Sequence, residues 1–379
     1  MSFQLTQEQN AAQASFRAFV EKEVVPVADR LDREQAVGKP LIQKLARQGY
    51  LGAVIPRDSG GQEMDPLTFG LLQEEFGRGS ASLQSLLTVH GMVAHALVRW
   101  GTDEQKGRWL APLAGGEKIG AFCLSEPEAG SDAASLQTSF EAVDGGFVLN
   151  GSKKWISFAQ VADLFLIIAQ DGGRATAFIV QRQTPGLTVE PIRDLLGFRA
   201  AMLGELTLDG CRVPASSLVG RIGCGLSHVV AAALDLGRYG VACGCVGLAQ
   251  ACLDASIQYT SRRRQFGKLL KDHQLIGRMI TRMVSQVSAA RLLCYRAGCL
   301  RTDGDPRAIM ETLIAKYFAS TMVNDVAGDA VQIHGANGCC ADYPVQRYFR
   351  DARIMEIIEG SSQIQEILIA RYATRSAEP

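Results

Sequence analysis

Gly146-Phe-Val-Leu149, Leu164-Phe-Leu-Ile-Ile168, Thr176-Ala-Phe-Ile-Val180, Leu187-Thr-Val189 and Glu205-Leu-Thr-Leu208 crowd short β-type runs into the middle of the chain. Asp-Gly, Gly-Gly and Pro-Gly turns divide them. Runs at this density with tight turns predict a small all-β domain, opening near Gly120 and closing near residue 222.

On either side the texture is helical. Gln43–Leu51 and Phe69–Phe76 carry apolar residues at helical spacing, with the turn Pro56-Arg-Asp-Ser-Gly-Gly61 between them. Ser80–Trp100 continues the pattern to Gly101, after which Thr102 is placed to cap the next helix. Downstream, Ser227–Arg263, 272–302 and 306–334 are long segments joined by short loops, which pack most simply as an antiparallel bundle. The expected fold is α+β in three parts: a helical domain over 1–118, a β domain over 119–222 and a helical domain over 223–379. The β insert argues against a Rossmann fold, as does His228, which stands where Gly223-Cys-Gly225 would need a third glycine.

The 379 residues are 47% apolar and 21% charged, as in an ordinary globular protein. Thirty-nine basic residues balance thirty-nine acidic ones, so nothing marks a nucleic-acid binder. Met1-Ser-Phe-Gln-Leu-Thr-Gln-Glu-Gln-Asn-Ala-Ala-Gln13 shows no secretory pattern. The run starting at His228 is cut by Asp235 and Arg238 before the ~18 apolar residues of a membrane span. The ten cysteines read as reduced thiols, mostly buried. No CxxC pair or HExxH spacing points to a metal. A cytoplasmic protein without metal, membrane or nucleic-acid partner is expected.

Four stretches carry chemistry. In Phe122-Cys-Leu124-Ser125-Glu-Pro-Glu-Ala-Gly130-Ser131-Asp132, a polar turn follows an apolar strand, and Gly130 lets a phosphate approach the backbone. In Lys154-Trp155-Ile-Ser157 an indole, ordinarily a core residue, neighbours a hydroxyl. In Arg263-Arg-Gln-Phe266-Gly267, with Gln274 beyond, a cation at a helix end either answers the helix dipole or clamps a pyrophosphate. In Ile354-Met-Glu-Ile-Ile-Glu359-Gly360-Ser361-Ser-Gln363, a helix ends near Ile358 and a new one begins at Ser361 or Ser362. A helix start suits phosphate, and a carboxylate among apolar neighbours gains the raised pKa of a base working near neutral pH.

Together these stretches resemble the acyl-CoA dehydrogenases, along essentially the whole chain. The resemblance implies FAD as cofactor, with Phe122, Leu124, Ser125, Gly130 and Ser131 lining it and Trp155 and Ser157 beside its ring. It further implies that Arg263, Phe266 and Gln274 reach FAD bound in a neighbouring subunit. Gln332 and Gly335 would approach the adenosine end, and Ser361 and Gln363 would bond the cofactor. Glu359 matches the catalytic base, taking the α-proton while hydride leaves the β-carbon for the flavin. Ser131, Arg238 and the backbone at Gly360 fall on the substrate side. A subgroup keeps its base at the position matching Gly237, which cannot ionise, so Glu359 is the candidate here.

Gly197-Phe-Arg199-Ala-Ala201-Met-Leu203, Leu236–Gly247, Ser80–Ser85 and His90-Gly91-Met92 are similar to the dehydrogenases of polyketide extender-unit pathways. That likeness implies a short polar acyl group on an acyl carrier protein. A catabolic short- or branched-chain acyl-CoA dehydrogenase is the alternative, followed by a flavin oxidase or monooxygenase and by a scaffold without cofactor. The family also implies a homodimer or homotetramer, reoxidised by an electron-transferring flavoprotein or by oxygen.

Overall fold

A computed structural model describes residues 4–375; Met1, Ser2 and Phe3 of the N-terminal stretch lie outside it. Six helices come first: α1 (Gln7–Phe19), α2 (Val25–Glu34), α3 (Lys39–Arg47), α4 (Pro66–Gly79), α5 (Ala81–Trp100) and α6 (Asp103–Ala114). Local chemistry sets their starts. Asp65 Oδ1 accepts from the amides of Leu67 and Thr68 ahead of Pro66, and Thr102 forms a capping box with Gln105. The Gln105 amide then donates to the carbonyls of Ser216 (2.7 Å) and Leu218 (2.9 Å), fastening the helices to the β domain. The helix expected through Leu51 ends at Arg47, and Gly49 (φ +77°) turns the chain.

The strands of the middle domain are β1 (Gly120–Cys123), β2 (Ser139–Val143), β3 (Gly146–Ile156), β4 (Leu164–Asp171), β5 (Arg174–Gln181), β6 (Leu187–Pro191), β7 (Gly204–Pro214) and β8 (Leu218–Val219). They form one sheet in the order β6-β7-β3-β2-β4-β5-β8, with β1 parallel to β4. Every run quoted at the outset lies in a strand. The β3–β7 ladder slips between Lys153 and Ile156, where Trp155 adopts φ +62°. A bulge of this kind re-aims a side chain, and the indole stands half exposed.

The remaining helices are α7 (Ala231–Thr260), α8 (Gln274–Thr302), α9 (Ala308–His334), α10 (Val345–Met355) and α11 (Ser362–Arg375). A π-helical turn over Gly225–Val230 leads into α7, and α7 stops at Thr260 rather than at Arg263. Helices α4 and α5 pack on α7, so both helical segments share a continuous core with Phe76, Leu86, Tyr239, Val287 and Val323 inside it. Helices Ala81–Trp100 and Gly225–Thr260 are long and apolar enough to cross a membrane, and both are wrapped by the rest of the fold.

Candidate functional site

Glu359 stands in the turn between α10 and α11. Its φ is +55°, a strained value for a residue with a Cβ, and Gly360 follows at +92°. Side chains from three helices hold this turn. Arg238 Nε of α7 donates to the Glu359 carbonyl (3.0 Å), while Lys316 Nζ of α9 (2.7 Å) and Gln365 Nε2 of α11 (3.1 Å) donate to the Gly360 carbonyl. Lys316 and Gln365 are fully buried. The amide of Gln365 donates to the Ser361 carbonyl, so Ser361 caps α11 and Gln363 lies exposed in its first turn.

The residue Glu359 is only partly buried, yet its Oε2 is sealed from solvent and has no hydrogen-bond partner among the described residues. Burial pushes its pKa up to about 7, against the opposing charges of Arg238 and Lys316. Burial likewise draws Lys316 down to about 8. Gly237 provides the floor for this carboxylate: a Cβ there would lie 2.6 Å from Oε2 and 2.8 Å from Met92 Sδ. The arrangement is an unpaired carboxylate, fixed in position and poised to accept a proton near neutral pH.

A second group of residues forms where β1 ends. The Ser125 carbonyl accepts from the Lys154 amide (2.9 Å), bringing the first two sequence stretches side by side. Beneath them Lys153 Nζ bonds Glu126 Oε1 (2.6 Å) and the Leu124 carbonyl (3.2 Å), with Lys153 and Glu126 both buried. Glu126 also accepts the amides of Gln137 and Thr138. Burial raises its pKa, but Lys153 and these amides outweigh that effect and hold it below the ordinary carboxylate value. Phe122 and Leu124 are partly buried, Gly130 and Ser131 are exposed, and open space lies where a Cβ on Gly130 would stand.

The third group lies at the far end of α7. Tyr259 stacks on His334 at 4.2 Å and accepts from Asn337 Nδ2 (2.9 Å), so the Arg263 and Gln332–Gly338 stretches meet there. Arg263, Gln274, Gln332 and Gly335 are exposed. Phe266 is 94% exposed and Leu275 74%. Phe266 and Gln274 line a shallow depression of about 540 Å³. Taking α7 as straight, its rise of ~1.5 Å per residue puts this end roughly 35 Å from Gly237, so one chain does not bring Arg263 to Glu359.

The donor set fits a flavin dinucleotide. A half-exposed indole with Ser125 and Ser157 nearby matches a flat ring with a polar edge, and the α11 N-terminus and the open backbone at Gly130 suit phosphates. Sequence reasoning missed Glu126, Lys153, Lys316 and Gln365. Lys316 left one signal: a lysine set among the apolar residues of Leu313-Ile-Ala-Lys-Tyr-Phe-Ala319. Glu126 and Lys153 left none, since their pairing exists only once β1 and β3 are adjacent.

The chain matches known proteins along nearly its whole length. Family models of the acyl-CoA dehydrogenase N-terminal, middle and C-terminal domains match residues 6–117, 121–211 and 224–374. The short-chain specific mitochondrial acyl-CoA dehydrogenase of Homo sapiens is 36% identical over 367 residues, covering 95% of this chain and 88% of its own length. Butyryl-CoA dehydrogenase from Megasphaera elsdenii superposes with a TM-score of 0.95 at 35% identity, over 99% of this chain and 100% of that one. FkbI, for biosynthesis of the methoxymalonyl extender unit of the polyketide FK520, superposes at 0.89 with 32% identity, over 96% and 99%. A glutaryl-CoA dehydrogenase from Mycobacterium smegmatis in complex with FADH2 reaches 0.94 at 27% identity, over 99% and 96%.

The chain therefore belongs to the acyl-CoA dehydrogenase family. It is a flavin-dependent oxidoreductase, and its cofactor is FAD.

Proposed function

We propose that Glu359 is the base of an acyl-thioester dehydrogenase whose substrate is a short polar acyl group on an acyl carrier protein. The observation that carries the assignment is the unpaired, sealed Oε2 of Glu359, raised to about 7 and seated on Gly237. Bound FAD supplies the hydride acceptor. The chain's own part is to hold the acyl α-carbon against Oε2, accept its proton there, and keep water away with Met92 and the packed face of α7. Arg238, Lys316 and Gln365 fix the carboxylate by gripping the carbonyls of its turn, so that little reorganisation accompanies the transfer.

Likeness to FkbI over nearly the whole of both chains supports the carrier-protein reading, as does likeness to the prolyl acyl carrier protein oxidase AnaB (TM-score 0.92, 27% identity). The human short-chain enzyme and the butyryl-CoA dehydrogenase support the second reading, a catabolic acyl-CoA dehydrogenase. Anaerobic mixing with glyceryl, seryl, malonyl-semialdehyde and butyryl thioesters, each on carrier protein and on CoA, separates the two. Bleaching of the flavin band by a polar acyl-carrier protein alone supports the first reading. Bleaching by butyryl-CoA supports the second and leaves Glu359 untouched.

The span of α7 supports a homo-oligomer in which Arg263, Phe266 and Gln274 of one copy complete the cofactor site of another. Mixed oligomers of Arg263→Ala and Glu359→Gln subunits test it. On this reading a hybrid holds one site with both native residues and recovers activity that each pure variant lacks.

A further inference from the structure

Between β6 and β7 the segment 192–203 leaves the sheet and returns to it, its base closed by the Ile192 amide on the Leu203 carbonyl (2.9 Å). One flank of this strap lies on α10. Asp351 Oδ1 accepts the Phe198 amide (2.7 Å), and Arg350 Nη1 donates to the Leu196 carbonyl (3.0 Å). The approach is close enough that a Cβ on Gly197 would collide with the Arg350 carbonyl. The other flank holds the turn that follows Trp155. There the Phe158 amide donates to the Ala201 carbonyl (2.7 Å), and Gln160 Nε2 donates to the Leu203 carbonyl (2.7 Å). The Ala201 amide in turn donates to the Phe198 carbonyl (2.8 Å), so one tight turn of chain joins the two flanks.

Those flanks belong to opposite walls of the site. Trp155 and Ser157 stand where the flavin ring fits, whereas Asp351 lies on the helix whose end carries the Glu359 turn. The sheet does not fix one wall against the other. Its β3–β7 ladder slips between Lys153 and Ile156, so regular pairing is lost at Trp155 itself. Strain gathers along the same route: Trp155, Phe158, Phe198 and Met202 all have φ between +46° and +62°. Residues with a Cβ stay in that region only where their surroundings over-determine them, and such positions cluster at functional sites. Phe158, Phe198, Ala200 and Ala201 are buried, so the strap is packed core rather than a surface loop.

Asp351 is the one side chain of α10 that bonds the tight turn. It is 2% exposed, with Oδ2 4.0 Å from Arg347 Nη1. A carboxylate 2.7 Å from a backbone amide makes the short, charge-assisted kind of hydrogen bond, which holds its donor firmly. Dehydrogenation needs such firmness across the site, because the α-proton leaves toward Glu359 while hydride leaves the β-carbon toward the ring on the other side. Both transfers are sensitive to the same offset.

We infer that Asp351 is a positioning residue for the dehydrogenation, setting the offset between the Trp155 wall and Glu359 through the Phe198 amide. The inference rests on the dehydrogenase reading of Glu359 and adds the group that aligns the base with the hydride path.

Four variants test it. Asp351→Ala removes the acceptor, and Asp351→Asn keeps a neutral one. Gly197→Ala pushes the strap off α10 without touching Asp351. Arg347→Met disturbs the same buried cluster and leaves the Phe198 bond in place. Each FAD-loaded protein is mixed anaerobically with the panel thioester that bleaches the wild type fastest, and kcat and KM are read separately. The flavin fluorescence lifetime, which shortens steeply as an indole nears the ring, is read without substrate. Asp351→Ala and Gly197→Ala are expected to lower kcat by about 10–100-fold with KM little changed, and to shift the lifetime. Asp351→Asn and Arg347→Met are expected to lower Tm while kcat and lifetime stay near the wild type. Should Asp351→Ala fail to fold, Gly197→Ala decides. A kcat loss that simply follows Tm across the variants, or a lifetime unmoved in Asp351→Ala and Gly197→Ala, overturns the positioning role and leaves Glu359 as the base. A wild type that bleaches with no thioester of the panel overturns the dehydrogenase reading, and the lifetimes still decide whether Asp351 holds the Trp155 wall.

Discussion

Glu359 should make flavin reduction depend steeply on pH. Unperturbed, its carboxyl would ionise at 4.5 and the rate would be flat across the neutral range; burial moves it to about 7. About a tenth of the molecules then carry the active carboxylate at pH 6, half at pH 7 and nine-tenths at pH 8. The shift corresponds to something on the order of 3 kcal/mol in favour of the neutral acid. Stability carries the same signature. The unfolded chain releases this proton near 4.5 and the folded protein near 7, so folding stability due to Glu359 is full below 4.5 and lost as pH rises through 7. Glu359→Gln should therefore match the wild type at pH 4 and exceed it by roughly 1–3 kcal/mol at pH 8, while bleaching more slowly by roughly 10²–10⁴-fold. The assay is stopped-flow bleaching from pH 5.5 to 8.5, beside urea melts of both proteins. A flat rate profile, or a Glu359→Gln protein that bleaches normally, would refute the reasoning.

Gly237→Ala places a methyl 2.6 Å from Glu359 Oε2 and should lower kcat by about tenfold or more while flavin stays bound, as absorbance would show. Lys316→Met leaves Gln365 as the remaining donor named to the Gly360 carbonyl and removes a charge that favours the Glu359 carboxylate; the bleaching profile should move to higher pH, with a lower plateau than the wild type. Glu126→Gln leaves Lys153 as a buried uncompensated charge and should cost about 3–5 kcal/mol, seen as a lower Tm and looser FAD, whereas Glu126→Gln with Lys153→Met should recover part of the loss.

What the sequence disclosed followed the range of the interactions. Thr102 could be read as a cap because its partner, Gln105, is three residues away. The strands around Phe165 and Phe178 could be read because short apolar runs bounded by turns are a local signal. Glu359 was legible for a similar reason, since its apolar neighbours and the Gly360 break surround it in the chain. Residues that act across the fold were silent. Trp155 gave no hint of its bulge, which exists only against β7, and Lys316 reaches a carbonyl 44 positions away. The helix read through Leu51 failed at Gly49, whose positive φ local periodicity does not report. His90 is a further case. Its ring accepts from the Gly120 amide and donates to the Leu113 carbonyl, and burial lowers its pKa to about 4, so it is a neutral strut between α5, α6 and β1.

The length of α7 has a consequence for how the protein would age. If the residues that clamp a cofactor sit on a different copy from those that use it, colour and quaternary structure fail together. Dilution would bleach a preparation by releasing FAD while each chain kept its helices and sheet. Yellow absorbance would then serve as an assembly gauge, falling with concentration when circular dichroism does not. A single surface substitution near Phe266 would also do its damage in a neighbour's active site, leaving its own intact.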